Sequence, residues 1–264
     1  VAIMLHPCSA SMNTETRQRI DQFIITHIQK ILEFKKSEFW SNSNHGVFHA
    51  LALINASTLI EKGPENEDVK ESGIEYLVTS LNGIIDIEEA ISLEQSSYYH
   101  QLAIELIEMI DEKYLKISGI NKDDLIQRMC QTNHWLTISN ENNLLAIGDT
   151  SSISRAALKH LPEKTPQEVL KTYEKGGISI VKKIHNNGIN HFAMLHRSER
   201  SPHGHFDALS VTMSMNDCEF LIDSGGPFNY GDSMRYQYFM ASRAHNVALI
   251  NGKGHNEGAK FIES

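Results

Sequence analysis

The chain has 264 residues, more than the ~150 that serve as a soft prior for one domain, so two domains or one large one are expected. With 41% hydrophobic and 22% charged residues it has the composition of an ordinary globular protein, and no apolar run approaches the ~18 residues that span a bilayer. A net charge of −9 with histidines neutral argues against nucleic acid as the default partner, although fourteen histidines can make a cleft locally cationic in mild acid. Cys8, Cys130 and Cys218 are scattered, odd in number and form no CxxC, so they build no disulfide framework and leave the compartment open. The opening VAIML is too short for a secretory apolar region, and AKFIES ends the chain just after a His- and Gly-rich loop, so a piece of a longer protein is expected.

From Thr14 to about Ile138 the period is helical. Ile20, Phe23, Ile24, Ile28, Ile31 and Leu32 fall on one face of a first amphipathic helix. A second is expected from His45 to Ile60, and a third after Pro64 carries Val69, Ile74, Leu77, Val78 and Leu81. A fourth covers Tyr98 to Ile110 and a fifth Lys122 to about Ile138, with short connections as in antiparallel helical hairpins.

Residues 139 to 175, with GDTSS and LPEKTPQEV, read as loop. The period then changes. GISIVKKI, HFAMLHR, LSVTMSM, CEFLIDS and HNVALING are short alternating or β-branched segments between Asn-Gly, Ser-Pro, Asn-Asp and Gly-Gly turns, which predicts an antiparallel sheet. The expected class is α+β, helices first and sheet second.

SPHGHFDALS raises the question of chemistry. In extended chain His203, His205 and Asp207 share a face, as metal ligands, substrate contacts or both. Together with FLIDSGG and SRAHNVALI, the residues His205, Asp223 and His245 offer two imidazoles and a carboxylate beside strand patterns, a set that suits Zn2+. Asp207 is an alternative ligand, and Asp223 could instead cap the Gly225-Gly226 turn. Among the helices, Asn44 suits an N-cap and His45 and His49 lie one turn apart. Glu94, Ser96, Tyr98, Tyr99 and His100 crowd the start of an apolar helix, as core-rim residues or as the mouth of a cleft.

NHG at 44–46, EQSSYYH at 94–100, HGHFDALS at 203–210, LIDSGG at 221–226 and SRAHN at 242–246 resemble, in that order, the heparinase II/III-like polysaccharide lyases. The resemblance runs from about residue 41 to Gly252. It implies an (α/α) toroid-type helical domain over 1–150 and an incomplete antiparallel β-sheet domain over 151–264. It implies β-elimination of a uronic-acid-containing polysaccharide, an acidic partner, by a periplasmic or secreted enzyme. Such chemistry needs the uronate carboxylate neutralised so that the C5 proton becomes acidic.

The roles implied are residue by residue. Asn44 and His45 contact the carboxylate, Tyr99 transfers a proton to the leaving oxygen, and His203 is a base or neutraliser. Tyr230 is a second tyrosine, with Tyr236 competing. His205, Asp223 and His245 match the ligands of one structural Zn2+ per chain, so that Gly204 would break the strand and let the two histidines divide the labour. The toroid is shorter than usual, Met240 stands where the family often has Arg, and HNV replaces HNT. A non-catalytic glycan-binding protein and a zinc hydrolase are the competing expectations, the latter lacking an obvious Glu base near the metal motif.

Overall fold

The computed structural model describes residues 12–37, 40, 42–59, 64–156, 159–197 and 201–254. Cys8, the VAIML opening and the AKFIES end lie outside them.

The helices form where the periodicity places them. Helix α1 is Thr14–Phe34, and the Asn13 side chain accepts from Thr16 N at 2.8 Å to cap it. Its buried stripe is narrow: Ile24 and Ile28 are buried, whereas Phe23 is 52% exposed and its ring lies 4.0 Å from that of His27. Helices α2 (Asn44–Ser57) and α3 (Pro64–Ile84) pack on each other through Leu53, Ile54 and Leu77. Helix α4 is Ser97–Met109 and α6 is Lys122–Leu136, capped by Asn121. Between them lies α5 (Glu112–Ile117), one short helix that the apolar pattern did not foretell because it relies on its Asp111 cap. The two-residue strands β1 (Ile85–Asp86) and β2 (Ile91–Ser92) pair antiparallel and were likewise not foreseen.

The sheet is an antiparallel meander in the order β3-β4-β5-β6-β7. Its strands are β3 (Leu170–Tyr173), β4 (Ile178–His185), β5 (Gly188–Leu195), β6 (Val211–Met215) and β7 (Cys218–Leu221). The β6–β7 hairpin turns on Asn216 and Asp217, both at positive φ (49° and 64°), the residue types that the tightest hairpins require. Two expectations fail. Strand β3 lies inside the stretch read as loop. HNVALING is irregular, because the Asn246 side chain donates to Val211 O and Ile222 O (2.9 and 3.0 Å) and fastens the chain across the ends of the strands.

Packing divides the chain into two compact units, 1–84 with 110–120, and 85–109 with 121–264. The second therefore holds α4 and α6 as well as the sheet. Its core joins Trp135 and Leu136 from the end of α6 to Ile178, Ile180, Ala193 and Leu195 on one sheet face, with Leu144, Leu145 and Ile147 between them. The resulting period-2 alternation on β4 and β5 is what the sequence displayed. No described helix is long and apolar enough to cross a membrane.

Candidate functional site

In the sheet-bearing unit three loops meet at the start of α4. Thr150 docks there: its Oγ1 accepts from Tyr98 N at 3.1 Å and pairs with Ser96 Oγ at 2.9 Å, so a distant loop caps the helix that carries Tyr99. The neighbouring Asp149 donates its backbone N–H to His203 O at 2.9 Å. Gly148, at φ +55°, makes this crossing possible, since a Cβ there would lie 2.3 Å from Gln95 O and 2.5 Å from His203 O. A Cβ at Gly204 would lie 2.0 Å from Gln95 Oε1, so a side chain there would require Gln95, whose Oε1 accepts from Ser201 N at 3.0 Å, to move aside.

Residues 201–210 are therefore a loop, not the extended chain in which three side chains share a face. His203 and His205 nonetheless converge on one carboxylate. His203 Nδ1 lies 3.2 Å from Asp149 Oδ2, and His205 Nε2 lies 3.1 Å from Asp149 Oδ1. Oδ2 also accepts from Tyr230 OH at 3.1 Å and from Arg235 Nη2 at 2.8 Å. Arg235 is aimed by a five-residue π-helical turn, Arg235–Phe239, and its guanidinium sits 4.7 Å from the centre of the Tyr230 ring. Burial pushes Asp149 upward, but hydrogen bonds from His203, His205 and Arg235 outweigh it and hold the carboxyl far below the ordinary range.

Tyr99 completes the cluster. Its ring stacks on His203 with centroids 3.4 Å apart, and its OH lies 2.7 Å from Tyr230 OH. Burial drives the Tyr99 phenol up to about 12, the Tyr230 bond only partly opposing it, with Asp149 and Glu94 adding to the rise. Tyr230 is raised further, by burial first and then by Tyr99 and Asp149. Both are phenols at neutral pH. Glu94 closes the other side of His203, with Oε1 3.5 Å from Nε2.

The candidates thus separate. Tyr99, His203 and Tyr230 are brought together; Tyr236 instead accepts from Arg235 Nη1 at 3.0 Å. His100 is a core residue, with Nδ1 accepting from Ser92 N and Nε2 donating to Met129 O. Asn44 and His45 lie in the other unit. Asn44 is the first residue of α2, with Ser43 and not Asn44 in the N-cap position, and its buried Oδ1 has no hydrogen-bond partner. His45 is exposed, edge-on to Trp40 at 5.5 Å. Asp149 and Arg235 escaped the sequence reading. GDTSS looked like punctuation, and only the charged residue beside Gly148 hinted at more.

The metal candidates form an adjoining buried group. Asp207, Asp223 and His245 each offer a ligand atom, and these atoms lie within 4.8 Å of one another. His245 Nδ1 is 2.8 Å from Asp223 Oδ2, while Asp223 Oδ1 accepts from Gly225 N at 2.9 Å, so Asp223 both caps the glycine turn and faces the cluster. Burial opposes charge on His245, but Asp223 outweighs it and raises the imidazole. His205 stands 5.3 Å from His245 between ring centres, and its buried Nδ1 has no hydrogen-bond partner. Neither oxygen of the fully buried Asp207 is hydrogen-bonded, and the Arg197 guanidinium is 3.6 Å away. Unsatisfied carboxylate oxygens at such depth are costly, and a cation held by Asp207, Asp223 and His245 would relieve those of Asp207; the expected ligand His205 is not among the three side chains that meet within 4.8 Å. The residues fit a nitrogen- and oxygen-ligated ion such as Zn2+.

Comparison with known proteins bears on the same unit. Residues 165–262 match the heparinase II/III-like, C-terminal family. A heparinase III crystal structure aligns at 14% identity with a TM-score of 0.66, over 96% of this chain and 46% of its own. A heparinase III with methylated lysines aligns at 15% identity and TM-score 0.61, over 90% of this chain and 41% of its own. The heparan sulfate lyase HepC from Pedobacter heparinus aligns at 14% identity and TM-score 0.59, over 91% of this chain and 40% of its own. No curated protein matches the chain. This chain therefore spans less than half the length of these structures, and at such identities the likeness is one of fold. The segment that matches the heparinase II/III-like, C-terminal family is the one that carries His203, Tyr230, Arg235 and the cluster of Asp207, Asp223 and His245.

Proposed function

We propose that the protein of which this chain is part is a polysaccharide lyase that cleaves a uronic-acid-containing polymer by β-elimination. The observation that carries the reading is the stack of Tyr99 on His203 with Tyr230 at its hydroxyl, two phenols and an imidazole gathered at a buried carboxylate. The chemistry divides by proton affinity. A phenol raised to about 12 keeps its proton at neutral pH, so Tyr99 is assigned as the acid that protonates the leaving oxygen. His203, with Nδ1 toward Asp149, is assigned as the acceptor of the C5 proton through Nε2, and the imidazolium so formed lies between Asp149 and Glu94. Tyr230 OH lies 3.3 Å from His203 Nδ1 and 2.7 Å from Tyr99 OH, so the imidazolium formed on C5 abstraction can pass its Nδ1 proton to Tyr230 as Tyr230 passes its own to the Tyr99 phenolate, which returns both residues to their neutral states.

The roles of Asn44 and His45 as carboxylate neutralisers rest on the motif resemblance alone. Asn44→Ala, with turnover lost and stability kept, is the outcome that supports them. Zn2+ is assigned to Asp223 and His245, which meet Asp207, and to His205 on the motif resemblance and its unpartnered Nδ1; when bound it supplies charge that ties the loops of this unit together. With Asp207 as a further ligand the set would be closed by side chains, which favours the structural role over a hydrolase.

The deciding experiment is digestion of defined uronate polymers, beginning with heparan sulfate and extending to alginate and bacterial exopolysaccharides. Only elimination creates a conjugated C=C, so growth of its ultraviolet absorbance supports the lyase. New reducing ends without that absorbance would assign a hydrolase, and polymer binding without cleavage would assign a glycan-binding protein.

A further inference from the structure

Asp149 has one oxygen turned to each of two histidines that the function assigns to different tasks, and this has a consequence for where their protons lie. Oδ1 meets His205 Nε2 at 3.1 Å, and Oδ2 meets His203 Nδ1 at 3.2 Å. Arg235, a permanent cation, holds Oδ2 at 2.8 Å and so fixes Asp149 as the anionic, acceptor-only member of the group. Each histidine nitrogen facing it must then carry hydrogen. The other nitrogen of each ring, when the ring is neutral, must be bare.

We propose that Asp149 is a positioning residue that sets both tautomers at once, leaving the basic lone pair of His203 on Nε2, the nitrogen on the Glu94 side, and that of His205 on Nδ1, where a metal can bind. The second half has its own sign in the structure: His205 Nδ1 is buried and without a partner. A ligating histidine whose other N–H is held by a carboxylate is the usual way a protein orients such a ring. Here the same carboxylate also orients a ring that ligates nothing, so metal cluster and proton-transfer cluster share one strut. The assignment of His203 Nε2 as acceptor rests on the lyase reading; the two tautomers do not.

Asp149→Asn tests this cleanly. The amide has one acceptor oxygen and one donor nitrogen in place of two acceptor oxygens. It offers a neutral acceptor to at most one histidine, which weakens the hold on that ring, and forces the other to reverse its proton or lose its partner, so both clusters are disturbed. Nitrogen-15 spectra of histidine-labelled wild type are expected to show, for the neutral rings, His203 protonated at Nδ1 and His205 at Nε2. In the variant, Zn2+ affinity measured against a competing chelator is expected to fall about 10–100-fold, the effect of removing such a partner. On a polymer that wild type cleaves, kcat is expected to fall at least ~100-fold, as for loss of a general base, with KM little changed. Wild-type spectra with either ring reversed overturn the proposal without any variant having to fold. So does an Asp149→Asn protein that keeps both Zn2+ affinity and kcat. If the spectra and the Zn2+ affinity come out as expected but wild type cleaves no uronate polymer, the lyase reading fails and the role of Asp149 stands.

Discussion

Two groups of histidines in the sheet-bearing unit share burial and differ in what they bond. His100 and His191 donate Nε2–H to backbone carbonyls, Met129 O at 3.0 Å and Trp135 O at 2.9 Å. Burial drives both down to about 4, the carbonyls only partly opposing it, and they stand as neutral struts of the core. His203, His205 and His245 instead face Asp149 or Asp223. A carbonyl is a neutral partner that leaves desolvation in command, whereas a carboxylate is charged and decides which nitrogen holds the proton. Burial therefore does not separate the histidines of the candidate site from those of the core in this unit; the acceptor does.

The largest expected effect comes from removing a member of the carboxylate-bound group. The His245–Asp223 pair has no exposed side-chain surface. Deleting one partner of a buried pair costs about 3–5 kcal/mol, and loss of a metal ligand adds to it. His245→Ala is expected to unfold at markedly lower denaturant than wild type, and a chelator should destabilise wild type but not the variant. His203→Ala, whose ring is partly accessible, should cost far less. Equal losses in the two variants, or a metal-free wild type as stable as the loaded one, would remove the structural ion from the account.

Next in size is Tyr99→Phe. The ring and its stack on His203 remain, so stability should change by about 0.5–1.5 kcal/mol, the net value of one hydroxyl hydrogen bond. Turnover should fall at least ~100-fold if Tyr99 delivers the proton. Tyr98→Phe is the matched control: adjacent helical side chains point about 100° apart, and Tyr99 is the one bonded to Tyr230. A dead Tyr98→Phe with an active Tyr99→Phe shifts the assignment by one residue. If both remain active on a cleaved polymer, Tyr230 is the acid to pursue.

The same contrast explains what the sequence showed and what it hid. Helices α1 to α4 and α6, and strands β4 to β7, announce themselves because each buries one face and therefore repeats at 3.6 or 2 residues. Strand β3 is paired on one side only, with Leu170 exposed, so its alternation is weak. The boundary of the packed units follows no period at all, since α4 and α6 are amphipathic whichever neighbour they meet. In the site, Tyr99, His203, Tyr230 and the metal candidates were legible because motif order tied them together. Asp149 was not, because a lone acid in a turn looks like a solvated one until Gly148 lets the chain cross under His203.

The smallest expected effect tests the neutral struts themselves. An unfolded histidine titrates near 6.5, whereas His100 in the folded unit titrates at about 4, lowered by burial. Below pH 6.5 the unfolded chain takes up a proton that the native state refuses, so stability present above that pH is lost as the pH falls toward 4. One such group accounts for about 2 kcal/mol between pH 7 and pH 5, from 1.36 kcal/mol per pKa unit. His100→Gln offers an acceptor for Ser92 N and a donor for Met129 O without a titrating group. Urea unfolding of wild type and variant at both pH values, each with excess chelator, gives a difference of differences from which the metal ligands cancel. The variant should lose about 2 kcal/mol less than wild type on acidification. Equal losses would mean that His100 is not held neutral by its burial, and that the line drawn between carbonyl-bound and carboxylate-bound histidines is in the wrong place.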